Sequence, residues 1–311
     1  MVPPEMCSPS GFFLREFVMD FKRFDGENTN VSKYVLEKED AVYEAVLYKY
    51  GAFEKRTVIC CSVMSGCPIG CAFCGTGKRF VRSLTGPEIV EQIAIVLQDR
   101  EIDAQKVQKF QIMFMSMGEP MLNWSNTAWA IKELHHKYPN AQLLLSTMAP
   151  HGDKPDWEDM LELSRCIEKV GLQFSIHKST DEKRNRLIPF GEKLSLGEIR
   201  DIGMRWKQET GRMPYCNYCV DGTNNTREDA DRLMALFPPE NFCFTFSVVC
   251  SADETMALAG YHNLDKIREF EHLFISMGYN TRVFDPAGQD DIGGGCGQLW
   301  YVQDWLRKRI S

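Results

Sequence analysis

The stretch Thr57-Val-Ile-Cys60-Cys61-Ser-Val63-Met-Ser-Gly66-Cys67-Pro-Ile-Gly70-Cys71-Ala-Phe-Cys74 decides how the rest of the chain is read. Residues 57–63 are rich in β-branched and apolar types and predict a strand. Three cysteines follow at spacings of four and three, with a glycine before the second and an aromatic before the third. A loop of this kind presents three thiolates to a [4Fe-4S] cluster and leaves the fourth iron open to another ligand. The competing reading is a structural zinc site, which takes four ligands, commonly as two Cys-x-x-Cys pairs. Cys60, Cys61 or the distant Cys216 and Cys219 are the residues able to complete one.

Outward from this loop, strand and helix patterns alternate. Thr85-Gly-Pro-Glu88 has capping-box spacing with proline at a helix start, and Ile89, Ile93 and Val96 recur on one face, so a helix is expected up to Asp99. Lys109–Met115, Ala141–Thr147, Gln173–His177, Met213–Val220 and Phe242–Val249 read as five further strands. Helical patterns lie near Thr127–Tyr138, Trp157–Lys169, Leu196–Thr210 and Arg227–Phe237. Another helix near Leu264–Met277 leads to a last strand near Asn280–Phe284. The alternation predicts an α/β fold, a partial (β/α)6 barrel whose ligand chemistry gathers at the carboxyl ends of the strands. Residues 1–54 are expected to form a lead-in with a short helical piece and a hairpin around Ala41–Arg56, turning at Tyr50-Gly51. Residues 55–290 form the barrel, and 291–311 a loop and C-terminal helix.

Composition bounds the partners. The 311 residues carry 36 Lys and Arg against 43 Asp and Glu, a net charge of −7, which argues against a broad basic face for long nucleic acid. Twelve cysteines, a start at Met1-Val-Pro-Pro-Glu5 without a basic and apolar leader, and the lack of a membrane-length apolar run lead us to expect a cytoplasmic protein. Its thiols then serve metals and catalysis, and it has no membrane partner.

The strand ends carry the next signals. Met117-Gly118-Glu119-Pro120 follows the second barrel strand, where Gly118 lets backbone come close to a ligand and Glu119 offers a carboxylate to an ammonium group. Alone, such a turn merely ends a strand. Ser146-Thr147 and Ser175-Ile176-His177 end the third and fourth strands and bring hydroxyl and imidazole groups to the same rim, although a lone histidine is as readily structural. In Asp290-Asp-Ile-Gly-Gly-Gly-Cys296-Gly-Gln-Leu299, glycine on both sides leaves Cys296 sterically open, either to deliver a thiolate into the barrel mouth or as part of a plain glycine-rich turn. Cys216-Asn-Tyr-Cys219 has the spacing of a redox pair, but strand alternation sends its cysteines to opposite faces.

With its three-cysteine loop the chain is identified as a member of the radical SAM superfamily. In Met-Gly-Glu-Pro-x-Leu-Asn, Ser-Thr, Ser-Ile-His and Asp-Asp-Ile-x3-Cys-Gly-Gln-Leu it resembles the radical SAM methyltransferases that methylate adenine carbons in ribosomal and transfer RNA. The resemblance implies that Cys67, Cys71 and Cys74 hold the [4Fe-4S] cluster. It also implies that Gly118, Glu119, Ser146, Ser175, Ile176 and His177 contact S-adenosyl-L-methionine (SAM), used twice per turnover. Cys296 becomes the methyl-carrying cysteine, Cys60 the second catalytic thiol that resolves the covalent adduct as a disulfide, and Glu44 the proton acceptor. A flavodoxin- or ferredoxin-type electron donor and a thiol reductant are the implied partners, with RNA or a nucleotide as substrate.

Three departures from the family pattern bear on that substrate. The SAM-contacting Asn after the sixth strand falls on or near Cys250 in Val248-Val-Cys-Ser-Ala252, and a thiol cannot supply both amide functions. The basic stretch before Asp-Asp-Ile reads Phe284-Asp-Pro-Ala-Gly-Gln289, and the lead-in is short and acidic. The resemblance implies as acceptor an sp2 carbon of adenine in RNA or a nucleotide, and the departures leave open the alternative of a non-nucleic small molecule or peptide. A metal-stabilised binding module without turnover is the non-catalytic alternative.

Overall fold

The lead-in is strand rather than helix where it can be followed. The computed structural model describes residues 20–27, 30–151, 156–249, 263–284, 292–295, 298–299 and 301–310. The described part of the lead-in holds Phe21–Asp25 (β1), Val31–Glu37 (β2) and Val42–Lys49 (β3); past the turn at Tyr50-Gly51, β3 pairs with the first barrel strand, Arg56–Cys61 (β4), and the expected short helical piece does not fall within the described residues. In β2 every residue but Glu37 is buried. That two-sided burial suits Val31, Tyr34 and Val35 on a strand, and it hides the alternation by which a strand is usually recognised.

A short antiparallel pair, Met64–Gly66 (β5) and Phe80–Ser83 (β6), brackets the three-cysteine loop. The chain then continues through Gly86–Asp99 (α1), Lys109–Phe114 (β7), Trp124–Lys137 (α2), Gln142–Thr147 (β8), Trp157–Cys166 (α3), Val170–Ser175 (β9), Asp181–Leu187 (α4), Leu196–Thr210 (α5), Tyr215–Cys219 (β10), Arg227–Leu236 (α6), Cys243–Ser247 (β11), Leu264–Ile275 (α7), Thr281–Phe284 (β12) and Tyr301–Ile310 (α8). The capping box at Thr85 and Glu88 starts α1 as expected. Helix α4 goes beyond the sequence expectations: Asp-Glu-Lys-Arg-Asn-Arg-Leu has no apolar stripe, its one buried residue is an arginine, and only the Thr180 cap with an acidic first turn and a basic last turn marks it.

Ten strands form one sheet in the order β1-β2-β3-β4-β7-β8-β9-β10-β11-β12. The first four pair antiparallel, and from β4 through β12 every neighbour is parallel. The parallel part is the partial barrel. Its outer face is sealed against helices by residues such as Phe244 and Phe246, which meet Phe274 of α7 with ring centroids 4.7 and 5.0 Å apart. Its inner face, one residue out of phase, carries Arg56, Val58 and Cys60 on β4, and Gln173 and Ser175 on β9. Asn217, Thr245 and Arg282 continue it on β10, β11 and β12. No helix among the described residues is long and apolar enough to cross a membrane.

Candidate active site

The cysteine loop leaves β5 and turns at Gly70, whose φ of +75° is a left-handed conformation that glycine adopts without strain. Three backbone bonds fix it: Cys67 N–H to Arg79 O at 2.9 Å, Ala72 N–H to Leu187 O at 2.9 Å and Cys74 N–H to Cys71 O at 3.0 Å. Cys67, Cys71 and Cys74 line one wall of a cleft enclosing about 730 Å³, part of it open to solvent, at the carboxyl ends of the strands. Burial, with the Cys74 sulfur nearby, pushes the Cys67 thiol up, while the N–H groups of Ile69 and Gly118 favour its thiolate. A cationic centre bound there acts in the same sense as those N–H groups. Phe73, the aromatic before the last cysteine, packs edge-on against the His177 ring at 5.3 Å and 83°, joining the loop to the far wall.

The zinc alternative gains no support. Cys216 and Cys219 take opposite faces of β10, with Cys216 fully buried in the core. Among the described residues no group of three His, Cys, Asp or Glu side chains converges as a single metal ion requires. The donor set present, three thiols spread along one loop beside a cleft, is that of a larger cluster with an open corner.

Beside the loop, after β7, stand Gly118 and Glu119. Gly118 has φ +95°, and a Cβ there would lie 2.6 Å from Met64 Cβ and Cγ, so the close approach it permits is to β5. Glu119 is 4% exposed. Its Oε1 accepts from Thr147 Oγ1 at 2.5 Å and Met121 N–H at 3.0 Å, and Oε2 from Met148 N–H at 2.8 Å. Burial raises its pKa to about 7 against the pull of those donors. The carboxylate is held in one orientation and keeps acceptor capacity for a cationic ligand.

The remaining rim residues divide. Ser146, Ser175 and His177 line the cleft. Ile176 does so only through its neighbours, since its side chain lies in the core and its N–H donates to Asn217 O at 3.1 Å. His177, at φ +57°, accepts Cys219 N–H on Nδ1 at 3.2 Å, which assigns the ring proton to Nε2. Burial lowers its pKa to about 3, so the ring stays neutral. Two cleft residues and one bracing residue go beyond the sequence expectations. Ser116 has a buried hydroxyl without a hydrogen-bond partner among the described residues, and Asn217 faces the cleft from β10. Arg184 of α4, fully buried, donates to the Met148 and Leu194 carbonyls at 2.5 and 2.8 Å and so braces the loop after β8. Strand-end logic reaches Ser116, two residues before Gly118, and Asn217 lies between two cysteines that carry the stronger signal.

Cys60 and Glu44 stand on adjacent antiparallel strands. Cys60 faces Val46 across the pair, and alternation puts Glu44 on the same sheet face. Glu44 is fully buried; its Oε1 accepts Tyr301 N–H at 2.9 Å at the start of α8, and Oε2 lies 3.4 Å from Lys33 Nζ. Burial raises its pKa, against Lys33 and that N–H. Cys296 and Cys250 lie outside the described residues, as do residues 285–291. Residues 292–295 before Cys296 and 298–299 after it are described, and both pieces are tied down. Gly294 O accepts Tyr48 Oη at 2.5 Å, and a Cβ on Gly294 would sit 2.9 Å from Val31 Cγ1 and 3.5 Å from Val46 Cγ1. On the other side Leu299 O accepts Thr76 Oγ1 at 2.5 Å. Gly295 and Gln298 close on each other through Gln298 N–H to Gly295 O at 3.1 Å and Gly295 N–H to Gln298 Oε1 at 2.9 Å.

A scan against protein-family models finds no match. Among curated proteins, the probable dual-specificity RNA methyltransferase RlmN of Thermotoga neapolitana is 30% identical over 303 residues, spanning 96% of this chain and 81% of its own. The protein of the same name from Pseudothermotoga lettingae is 32% identical over 283 residues, covering 90% and 78%. The chain belongs to the RlmN family. Among solved structures, a radical SAM methyltransferase from Sphaerobacter thermophilus superposes with a TM-score of 0.77 at 26% identity over 90% of this chain and 80% of its own.

Membership in the RlmN family fixes the class of chemistry. The chain is a radical SAM enzyme that transfers methyl groups, with a [4Fe-4S] cluster and SAM as its cofactors. The non-catalytic binding module and the zinc knot both fall with that assignment. The partial barrel expected from the strand and helix alternation is the fold shared with that radical SAM methyltransferase.

Proposed function

We propose that this RlmN-family enzyme methylates an sp2 carbon of adenine in RNA or a nucleotide, through a methylated Cys296. In this reading Cys67, Cys71 and Cys74 hold the cluster, and Gly118, Glu119, Ser146, Ser175, Ile176 and His177 hold SAM, with Glu119 on its ammonium group. When bound, the cluster supplies the electron that cleaves SAM and so yields a radical able to take hydrogen from an S-methyl group. The Cys296 thiolate first accepts a methyl group by displacement at a SAM sulfonium. After hydrogen abstraction its methylene carbon bonds to the acceptor carbon. The adduct then loses one proton to Glu44, whose raised pKa suits a base, and one electron to the oxidised iron–sulfur centre that Cys67, Cys71 and Cys74 would hold. The Cys60 thiolate attacks the Cys296 sulfur, the sulfur–methylene bond breaks, the expelled carbon takes up a proton to become the product's methyl group, and a Cys60–Cys296 disulfide remains for a thiol reductant to reopen. A flavodoxin- or ferredoxin-type protein delivers the electron for SAM cleavage, and the thiol-rich chain works in the cytoplasm.

The observation that carries this reading is the pair of anchors on the flanks of Cys296. Thr76, two residues beyond Cys74, bonds Leu299, and Tyr48, two residues beyond the Val46 partner of Cys60, bonds Gly294. The loop is thereby tied to the cluster loop on one side and to the strand beside Cys60 on the other. The test is anaerobic reconstitution with iron, sulfide, SAM and a low-potential reductant, followed by incubation with RNA transcripts and with free adenine nucleotides. Deoxyadenosine together with methylated adenine is the expected result. Deoxyadenosine without methylation of any adenine substrate contradicts the proposal.

A further inference from the structure

The inner face of the barrel holds a second cavity that the methyl-transfer reading does not use. It encloses about 910 Å³, part of it open to solvent, and shares Met115 and Asn217 with the cleft. One wall is aromatic and apolar, formed by Tyr48, Tyr50, Phe284 and Met113; Tyr48 and Phe284 meet edge to face at 6.2 Å. The opposite wall is polar. A single row of paired inward residues runs across it, Ser175 to Asn217 to Thr245 to Arg282, leading from the cleft rim to a guanidinium.

Two arginines point into this cavity without an acidic partner among the described residues. Arg282 is stacked on the Tyr215 ring at 4.4 Å and donates Nε–H to Thr245 Oγ1 at 2.7 Å and Nη2–H to Gln173 Oε1 at 3.1 Å. Arg56 lies over the Tyr50 ring at 4.2 Å and donates Nε–H to Gln111 Oε1 at 3.1 Å. Each of these hydrogen bonds is to a neutral oxygen, and each guanidinium keeps further N–H donors of its five. Burial lowers the pKa of Arg282, and Arg56 adds to the effect, the direction a nearby anion reverses. Two like charges stacked and oriented in a partly buried cavity cost stability unless an anion joins them. Fixed guanidinium planes suit the oxygens of a phosphate.

We propose that this cavity binds a phosphorylated aromatic ligand of the nucleoside monophosphate class, with Arg282 and Arg56 on the phosphate and the base against the aromatic wall. The shared Met115 and Asn217 place such a ligand in contact with the SAM cleft. As the acceptor of methyl transfer it rests on the function proposed above; as a binding site it stands without it.

Titration calorimetry on the anaerobically reconstituted enzyme, with AMP, adenosine and inorganic phosphate as probes, tests the site. AMP is expected to bind about 10- to 100-fold more tightly than adenosine, the range of one or two charge-assisted hydrogen bonds. Arg282→Gln is expected to remove most of that difference, and Arg56→Gln part of it. Equal affinity for AMP and adenosine in the unaltered enzyme overturns the proposal, as does Arg282→Gln with unchanged AMP affinity. Should Arg282→Gln fail to fold, Arg56→Gln and the AMP-to-adenosine ratio of the unaltered enzyme decide. Deoxyadenosine formation is followed in parallel. Cleavage of SAM without AMP binding sinks the cavity assignment alone, and AMP binding without SAM cleavage sinks the function alone.

Discussion

The hydroxyl of Thr76, two residues past Cys74, donates to the carbonyl of Leu299, three residues past Cys296, at 2.5 Å. This bond ties the two parts of the chain that the proposed chemistry must bring together, 223 residues apart in sequence. Both atoms are buried, so Thr76→Val leaves a carbonyl unsatisfied at a cost of about 1–3 kcal/mol. We expect Thr76→Val to keep iron content and SAM cleavage while methyl transfer falls about tenfold, the equivalent of about 1.4 kcal/mol, with Thr76→Ser restoring it. Iron analysis beside product assay checks this, and equal loss of cleavage and transfer counts against the linkage.

Glu119 is a buried carboxylate in the cleft, oriented by Thr147, Met121 and Met148. Glu119→Gln keeps most of that shape and removes the charge. SAM affinity, read by equilibrium dialysis on the reconstituted enzyme, should fall about 10- to 100-fold, as for loss of a charge-assisted contact, with iron content unchanged. Unchanged SAM affinity removes Glu119 from the ammonium site.

Gly118 has no room for a side chain. With φ at +95° and Met64 atoms 2.6 Å from where a Cβ would lie, Gly118→Ala must shift β5 and with it the start of the cysteine loop. A loss of about 1–3 kcal/mol is expected from backbone strain alone, read as a lower urea midpoint together with poorer iron retention. Wild-type retention in this variant means that β5 yields more easily than its packing indicates.

Glu88 gives the pH dependence a sign. Burial raises its pKa, but Arg82, the Thr85 N–H and Lys38 outweigh burial and hold it at about 2 against an ordinary 4.5. A carboxyl depressed on folding stabilises above its unfolded value and loses that contribution as pH falls from about 4.5 toward 2. The difference in urea midpoint between the unaltered chain and Glu88→Gln, measured without cluster, should therefore be constant from about pH 7 to 5 and shrink below about 4.5. A difference that grows on acidification contradicts the capping network around α1.

The barrel is legible in the sequence because its signals are local. Thr85 and Glu88 announce a helix by cap chemistry, and runs such as Phe242–Val249 announce buried strands by composition. The cleft is legible because strand ends converge, so Glu119, Ser146 and His177 meet although far apart in sequence. What cannot be read there depends on tertiary burial. β2 is buried on both faces and shows no alternation. Arg184 is a charged residue in a charged run, and only the fold makes it a buried brace for Met148 and Leu194. Likewise Arg282 and Arg56 are ordinary surface types in sequence; the curvature of the sheet alone turns both into one cavity.

The central claim is that Cys296 carries the methyl group and Cys60 releases the product. Intact-mass and peptide mass spectrometry of the active enzyme and of Cys60→Ala, purified after exposure to SAM and substrate, tests it most directly. The expected result is one added methylene on Cys296 in the unaltered enzyme and a substrate adduct on Cys296 in Cys60→Ala. An enzyme that methylates its substrate while Cys296 is never modified contradicts the account.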